Sequence, residues 1–81
     1  MKKKFKYVEV QWDDARSTAE WTDLDALPKV CRVVTRGWLV QETKAQVVIA
    51  GTLQLDGDDE DVGELVAIPA GTVKKMRRLK V

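Results

Sequence analysis

The stretch that decides the fold runs from residue 30 to residue 50 and reads Val30-Cys-Arg-Val-Val-Thr-Arg-Gly-Trp-Leu-Val-Gln-Glu-Thr-Lys-Ala-Gln-Val-Val-Ile-Ala50. It is rich in β-branched and aromatic residues, which favour strands. A glycine inside such a run often marks a bulge or a sharp bend, because glycine alone adopts strained backbone angles without penalty. We therefore predict one long, strongly bent strand over residues 30–41, with its bend at Gly37. After a tight turn at Glu42-Thr43, residues 44–52 are predicted to form a central strand, since apolar residues occupy both faces.

The residues before this stretch predict one more strand and a long polar excursion. Over residues 5–12, the apolar side chains Val8, Val10 and Trp12 alternate with polar ones, as in a half-buried strand. Residues 13–29 are polar, and a short helical segment is expected between residues 22 and 27. Thr22-Asp23 offers its cap and Pro28 prevents its continuation.

The residues after the central strand predict a loop and a strand pair. Residues 55–63 contain the turn signal Asp56-Gly57, and residues 64–69 form a short strand. The sequence leaves strand and helix open for residues 69–80. Val73, Leu79 and Val81 share a strand parity, whereas Val73 and Met76 would share one face of a helix. We favour a strand, with a bulge near Lys75 and one turn of 3₁₀-helix before it.

Together these segments predict an all-β chain with five short antiparallel strands. Such strands, one of them bent at a glycine and the last preceded by a helical turn, describe a small SH3-like or Sm-like barrel. A barrel removes exposed sheet edges by bending the sheet onto itself. We expect residues 1–81 to form a single domain of this kind.

Composition excludes much enzyme chemistry. The 81 residues include no histidine and one cysteine, Cys31, which excludes an intrachain disulfide, a zinc finger and a histidine-dependent triad. Cys31 lies in a valine-rich run and is expected to be a small core residue. The acidic residues 56–61 lack the spacing of an EF-hand loop and are interpreted as a solvated loop. We expect no enzyme activity, no metal and no cofactor. No apolar run is long enough to span a membrane, so a cytoplasmic setting is expected.

Charge is balanced overall but segregated along the chain. The net charge is +1, so no global field favours nucleic acid. Acidic residues concentrate in residues 13–25 and 56–64, and basic residues in residues 2–6 and 74–80. The blocks could be solvated faces, or they could pair between subunits. The basic C-terminal block could likewise be an anion site or only a charged edge that prevents aggregation.

The candidate site residues are tryptophans and cations. Trp12 follows the inward parity of its strand and is expected in the core. For Trp38, a core position and an exposed site are equally expected. Trp21 lies in the polar excursion, where we expect it to attach that segment to the barrel, with a ligand or interface role as the alternative. The predicted ligand or interface residues are Trp21, Trp38, Lys74, Lys75, Arg77 and Arg78.

Four motifs resemble small proteins of tailed bacteriophages. The motifs are Val10-Gln-Trp-Asp13, Glu20-Trp21, Thr35-Arg-Gly-Trp-Leu-Val-Gln-Glu42 and Ile68-Pro-Ala-Gly-Thr-Val-Lys-Lys75, with Leu79 after them. The C-terminal half also resembles Sm-like proteins, although the chain has no asparagine to form their base-reading pocket. The resemblance implies a phage protein acting in the cytoplasm of a bacterial host.

Three functions remain open at this point. The first is a non-enzymatic accessory protein that counters host defence by sequestering a small anionic, nucleotide-type signal. The second is an adaptor that binds and inhibits one host protein. The third, less favoured because of the near-zero net charge, is an Sm-like nucleic-acid-binding module. We also expect a homo-oligomer, because three tryptophans exceed what so small a core absorbs and the charge blocks are complementary.

Overall fold

The computed structural model describes residues 5–55 and 61–80, and over these two ranges the chain is an all-β protein. Its strands are β1 (Lys6–Asp14), β2 (Cys31–Glu42), β3 (Gln46–Leu53), β4 (Val62–Pro69) and β5 (Val73–Arg78). All pairs are antiparallel, and the five strands form one sheet in the order β4-β3-β2-β1-β5. Two single turns of 3₁₀-helix, Leu24–Ala26 and Ala70–Thr72, precede β2 and β5. No helix among the described residues is both long and apolar enough to cross a membrane.

β1 lies inside the sheet because the last strand of the chain pairs with it. β2 flanks β1 along its whole length, from Lys6 opposite Leu39 to Asp14 opposite Cys31. β5 flanks the other side of β1, with Val8 opposite Arg78 at one end of the pairing. The basic C-terminal block is thereby placed beside the N-terminal strand.

β2 has different neighbours along its length. Residues 31–37 pair with β1 alone, Trp38 and Leu39 pair with both β1 and β3, and Gln41 and Glu42 pair with β3 alone. The sheet therefore has two halves. The first half consists of β5, β1 and residues 31–36, and the second consists of residues 38–42, β3 and β4.

The core forms where the inward faces of the two halves meet. Its buried cluster draws Val8 and Val10 from the first half, and Val47, Ile49 and Ile68 from the second. On β1 and β4 these residues alternate with polar or exposed positions, whereas on β3 apolar residues occupy both faces, as predicted, with Ala50 also buried. Trp12, Leu39, Val66, Val73 and Met76 are partly buried and pack against the cluster.

Gly37 is required for a reason that differs from the predicted one. The register shift in β2 lies at Val40, between Leu39 and Gln41, three residues beyond the predicted position. Gly37 is buried, and its φ lies outside the left-handed region that favours glycine. A Cβ atom at Gly37 would lie 2.6 Å from the carbonyl oxygen of Ala50 and 2.6 Å from Cγ2 of Ile49. The glycine allows β2 and β3 to approach each other closely.

The structure decides the alternative left open at the C-terminus in favour of a strand. Residues Ala70–Thr72 form the predicted 3₁₀ turn, and Val73–Arg78 form a strand rather than a helix. The predicted bulge is present, because Gln11 pairs with Lys75 and Trp12 pairs with Val73, which leaves Lys74 as the extra residue. The helical segment predicted between residues 22 and 27 is confirmed as the single turn Leu24–Ala26.

Candidate anion-binding face

The face of the first half that points away from the core carries most of the charged side chains of these strands. Since Val8 and Val10 face the core, the alternate residues of β1 face outward. Their cross-strand neighbours share this face. We call it the basic face, and its residues are Tyr7, Glu9, Gln11 and Asp13 of β1, Arg32, Val34, Arg36 and Trp38 of β2, and Lys74, Lys75 and Arg77 of β5.

Glu9 joins three strands at the centre of the basic face. It lies directly opposite Arg36 on one side and Arg77 on the other. Arg36 Nε and Nη2 lie 2.8 and 2.7 Å from Glu9 Oε2, and Arg77 Nε lies 3.0 Å from Oε1. The Glu9 side chain is 6% exposed, whereas those of Arg36 and Arg77 are 59% and 55% exposed. One buried carboxylate thus holds two guanidinium groups that remain open to solvent.

The same contacts determine the protonation of Glu9. The side-chain hydrogen bond from Arg77, followed by that from Arg36, lowers the pKa of Glu9 from 4.5 to about 2, against the opposing effect of burial. Glu9 is therefore ionised at neutral pH, and its carboxylate accepts the arginine hydrogen bonds without a bound proton. The hydrogen bond to Glu9 in turn raises the pKa of Arg77.

A second, similar arrangement surrounds Asp13. Arg32 Nε donates a hydrogen bond of 2.6 Å to Asp13 Oδ1, and Lys74 Nζ lies 3.7 Å from Oδ2. The Arg32 hydrogen bond is the main reason that the pKa of Asp13 is lowered. Lys74 is the bulge residue of β5, so the bulge places a third cation of this strand, beside Lys75 and Arg77, within reach of β1.

The basic face has an excess of positive charge although the chain as a whole is nearly neutral. It holds five cations, Arg32, Arg36, Lys74, Lys75 and Arg77, against the two carboxylates of Glu9 and Asp13. Each guanidinium group has five N–H donors, of which the carboxylates use only some. The arginines can therefore bind a phosphate while they stay paired with Glu9 and Asp13.

An aromatic pair borders the Glu9 arrangement. The rings of Tyr7 and Trp38 have centroids 5.0 Å apart and are inclined by 69°, an edge-to-face contact. Tyr7 precedes Glu9 by two residues and Trp38 follows Arg36 by two, so the pair lies about 7 Å from the arginines along the strands. Both residues are half-buried. Their exposed parts provide π surface on the same face as the cations.

An open groove of about 540 Å³ lies at the end of the sheet beside Tyr7. Its lining combines apolar and basic side chains, namely those of Phe5, Tyr7, Arg78, Leu79 and Lys80. The amide of Leu79 donates a hydrogen bond of 2.8 Å to the carbonyl oxygen of Tyr7, which keeps the end of the chain beside β1. We call this the end groove.

Four of the six predicted site residues come together, and two do not join them. Trp38, Lys74, Lys75 and Arg77 lie on the basic face, whereas Arg78 lines the end groove. The prediction that Trp21 attaches its segment to the sheet is wrong: this side chain is fully exposed, at 104%. Residues 14–30 are all exposed, so no neighbour in the polar excursion packs the indole against the sheet.

Two predicted core positions are only partly buried. Trp12 packs against the core, but its Nε1 donates a hydrogen bond of 2.9 Å to Thr35 Oγ1 and the residue stays half-buried. The prediction that Cys31 is a core residue is wrong. Cys31 is half-buried at the first position of β2, where only β1 is paired with that strand, and it lies outside the core cluster.

Sequence reasoning missed Glu9, Arg36, Arg32 and Tyr7 as members of the site. Their signal is the outward parity of two strands, but it becomes informative only once the pairing of β1 with β2 and β5 is known. The acidic loop considered for a metal lies mainly outside the described residues, which omit 56–60. Within the described ranges, no group of three or more possible metal ligands is close together.

No protein-family model, curated protein or solved structure matches this chain.

The Glu9 contacts predict a specific dependence of stability on pH. The unfolded chain has a Glu9 pKa near 4.5 and the folded chain one of about 2, so the unfolded chain binds more protons between these values. Glu9 therefore contributes stability above about pH 4.5, and the contribution is lost as the pH falls toward 2. We expect Glu9→Gln to have a lower Tm than the wild type at pH 7, and we expect this difference to shrink between pH 4.5 and 2.

Thermal unfolding between pH 2 and 7 measures this effect. Glu42→Gln is the matched control, since Glu42 is exposed and lies off the basic face. A Tm difference between wild type and Glu9→Gln that stays constant over the whole pH range would contradict the assignment of the shifted pKa to Glu9.

Proposed function

We propose that this protein is a non-enzymatic binding protein that holds a small, phosphate-bearing ligand of nucleotide type on its basic face and thereby sequesters it. The observation that supports this function best is the arrangement of Arg36 and Arg77 on the buried carboxylate of Glu9, beside the Tyr7–Trp38 pair. A nucleotide has the two matching parts, an anionic phosphate and a flat base.

The arginine pair is suited to phosphate because its side chains are already ordered. A flexible arginine loses rotamer freedom when it binds, and this loss weakens affinity. Glu9 fixes both guanidinium groups by hydrogen bonds while more than half of each side chain remains exposed. Guanidinium groups match the geometry of phosphate oxygens, so the remaining N–H groups can donate to a ligand in a fixed orientation.

The aromatic pair supplies the second part of the site. Bases stack on aromatic rings with a free energy of about 1–3 kcal/mol for each base. A base on Tyr7 or Trp38 would place its phosphate toward Arg36 and Arg77, which are about 7 Å away along the strands. Lys75, on the same face, adds a further cation.

The phage setting and the barrel are parts of the same proposal. We take the protein to be a bacteriophage accessory protein acting in the cytoplasm of its host, as the motifs at Gly37-Trp38-Leu39-Val40 and Ile68-Pro69 suggest. A single cysteine suits a reducing compartment. Closure of the sheet into an SH3-like or Sm-like barrel is supported by the neighbours of β1, by the change of partners along β2 and by the 3₁₀ turn before β5.

Nucleic-acid binding is the second candidate, and the Asp13 arrangement favours it. Asp13 follows Glu9 by four residues, so Arg32 and Lys74 lie about 13 Å from the first arginine pair along the same face. A single nucleotide would use one of these arrangements, whereas an oligonucleotide would use both. The length of the preferred ligand therefore separates the two functions.

Calorimetric titration with ADP, cyclic di-AMP and a twelve-nucleotide single-stranded DNA tests both candidates. We expect a nucleotide to bind the wild type, and Arg36→Lys with Arg77→Lys to weaken it at least about 10-fold, because lysine keeps the charge but not the two-donor geometry. Tyr7→Ala is expected to weaken it by a similar factor through lost stacking. Lys44→Ala, a cation in the β2–β3 turn, is the control.

Each outcome decides between the candidates. DNA binding that falls steeply with salt, with no nucleotide binding, would replace the first function with the second. Nucleotide binding that is insensitive to the double Arg→Lys change, in a variant with unchanged Tm, would remove the basic face as the site. The absence of binding to all three probes at millimolar concentration would contradict both functions.

A further inference from the structure

The segment over residues 17–28 has an apolar stripe that nothing in the described parts of the chain covers. Trp21, Leu24 and Leu27 recur every three residues and are 104%, 84% and 57% exposed. The hydrogen bonds within this segment join residues no more than three apart, such as that from the amide of Ala26 to the carbonyl oxygen of Asp23. We call residues 17–28 the acidic segment, because Glu20, Asp23 and Asp25 are its only charged residues.

The local backbone repeats every three residues, as the apolar side chains do. Leu24–Ala26 is a 3₁₀ turn, which has three residues per turn, so side chains three apart lie above one another. On either side, Asp23 (φ −68, ψ 152) and Leu27 (φ −64, ψ 144) are in the polyproline II region, which also repeats every three residues. Leu24 and Leu27 therefore lie on one side, and Trp21 continues the same three-residue spacing, with the carboxylates between these positions. An exposed stripe of this kind marks an interaction site.

The end groove has the complementary chemistry. It offers the apolar surfaces of Phe5, Tyr7 and Leu79, together with the cations Arg78 and Lys80. An indole with neighbouring carboxylates matches apolar walls with neighbouring cations. Its volume of about 540 Å³ is within the range of clefts that bury small organic groups.

The acidic segment does not lie in the end groove of its own chain, because Trp21 is fully exposed. The groove lies at the Lys6 end of β1, whereas the segment follows Asp14 at the other end, about 26 Å away. Trp21 is seven residues beyond Asp14, and seven residues span at most about 25 Å when fully extended. The residue would have to cross the whole sheet edge in a straight line and still enter the groove.

From these observations we propose that the acidic segment of one copy docks in the end groove of a second copy, with Trp21 as the anchor. Because segment and groove lie at opposite ends of β1, two copies can exchange segments reciprocally if their β1 strands are antiparallel. Otherwise the contact repeats head to tail and closes into a ring. The partner of the basic C-terminal residues is then the acidic segment rather than residues 56–61. This contact uses neither Arg36 nor Arg77, but it shares Tyr7 with the proposed ligand site, so an occupied end groove would compete with a base stacked on Tyr7.

Sedimentation equilibrium from 5 to 200 µM tests the contact. We expect the wild type to be a dimer or a larger closed assembly, and Trp21→Ala to raise the dissociation constant at least about 10-fold with little change in Tm. Leu65→Ala is the control, because Leu65 is another exposed apolar residue, at 56%, and lies on β4, away from both surfaces. Its assembly is expected to equal that of the wild type.

A charge exchange provides a second, independent readout. Arg78→Glu with Lys80→Glu is expected to abolish assembly, as is Asp23→Lys with Asp25→Lys. A mixture of the two variants is expected to form a one-to-one complex, in which the lysines introduced at positions 23 and 25 of one variant pair with the glutamates introduced at positions 78 and 80 of the other. A wild type that stays monomeric at 200 µM overturns the proposal, as does assembly that survives Trp21→Ala. A monomer that captures a host protein through Trp21 would also overturn it, in favour of an adaptor.

Discussion

Replacing Gly37 with alanine is expected to lower the free energy of unfolding by about 3 kcal/mol. The added Cβ would lie 2.6 Å from a backbone oxygen of β3 and 2.6 Å from the Ile49 side chain. A side chain could rotate away, but the Ala50 carbonyl belongs to the paired strand and cannot move without breaking the β2–β3 pairing. In a domain of this size such a loss lowers Tm by more than about 10 °C. Urea denaturation followed by circular dichroism measures it.

Gly71→Ala is the matched control for this experiment. A Cβ at Gly71 would have no other atom within 4 Å, so the same chemical change is expected to alter stability by less than about 1 kcal/mol. Equal losses in the two variants would show that the unfolded chain's freedom, rather than the close approach of β2 and β3, explains the effect at Gly37.

Replacing Ile68 with alanine is expected to cost about 3–4 kcal/mol. Ile68 is fully buried, lies opposite Val47 across the β3–β4 pair and belongs to the core cluster that joins the two halves of the sheet. Truncation removes three carbons and leaves a cavity among the buried side chains of the core cluster. Ile68→Val removes one carbon and is expected to cost about 1 kcal/mol, which keeps the test informative if the alanine variant does not fold.

Leu65→Ala provides the comparison on the same strand. Leu65 is 56% exposed, so its truncation is expected to change the free energy of unfolding by less than about 0.5 kcal/mol. If Leu65→Ala were as costly as Ile68→Ala, the assignment of the two faces of β4 would be incorrect. Chemical denaturation of all three variants gives the comparison directly.

Local patterns were sufficient to predict the strands. Alternation over residues 5–12 marked β1, and the β-rich run around Gly37 marked β2, because burial on one face imposes a period of two on the sequence. The 3₁₀ turn at Leu24–Ala26 was predicted from Thr22-Asp23 and Pro28, which act locally. The turn is present, but Asp23 makes no side-chain cap hydrogen bond to it. The same reasoning identified Gly37 as special, since a small residue inside a β-rich run always needs an explanation.

Features that depend on distant pairing could not be predicted in this way. Glu9 and Arg77 are 68 residues apart in sequence, so no local window contains both. The burial of Trp21 was predicted wrongly for a different reason. Tertiary contacts decide whether an aromatic side chain is buried, and the polar residues beside Trp21 in the sequence do not show which surface it contacts. The position of the β2 bulge, at Val40 rather than Gly37, is likewise fixed by the register with β3.

A second close approach, between Gly51 and Glu64, also depends on pairing between strands. Glu64 in β4 has a φ of 54°, the one positive φ of a non-glycine residue in the described ranges. A Cβ at Gly51 on the adjacent strand would lie 2.8 Å from Glu64 Oε2 and 3.2 Å from its Cβ. The absence of a side chain at Gly51 therefore leaves room for Glu64 in its strained backbone conformation, although twelve residues lie between the two in the chain.

The position of β1 between β2 and β5 has a consequence for how the protein is made. The β1–β2 hairpin can form early during synthesis, but the other edge of β1 receives its partner only when the chain has been completed through Arg78. Until then Glu9 has only one of its two arginines, and a row of backbone amides stays open to other nascent chains. Pairing over so long a separation is slow. Emergence of β5 from the ribosome, rather than emergence of the core residues that precede it, therefore sets the moment at which the second edge of β1 can be paired.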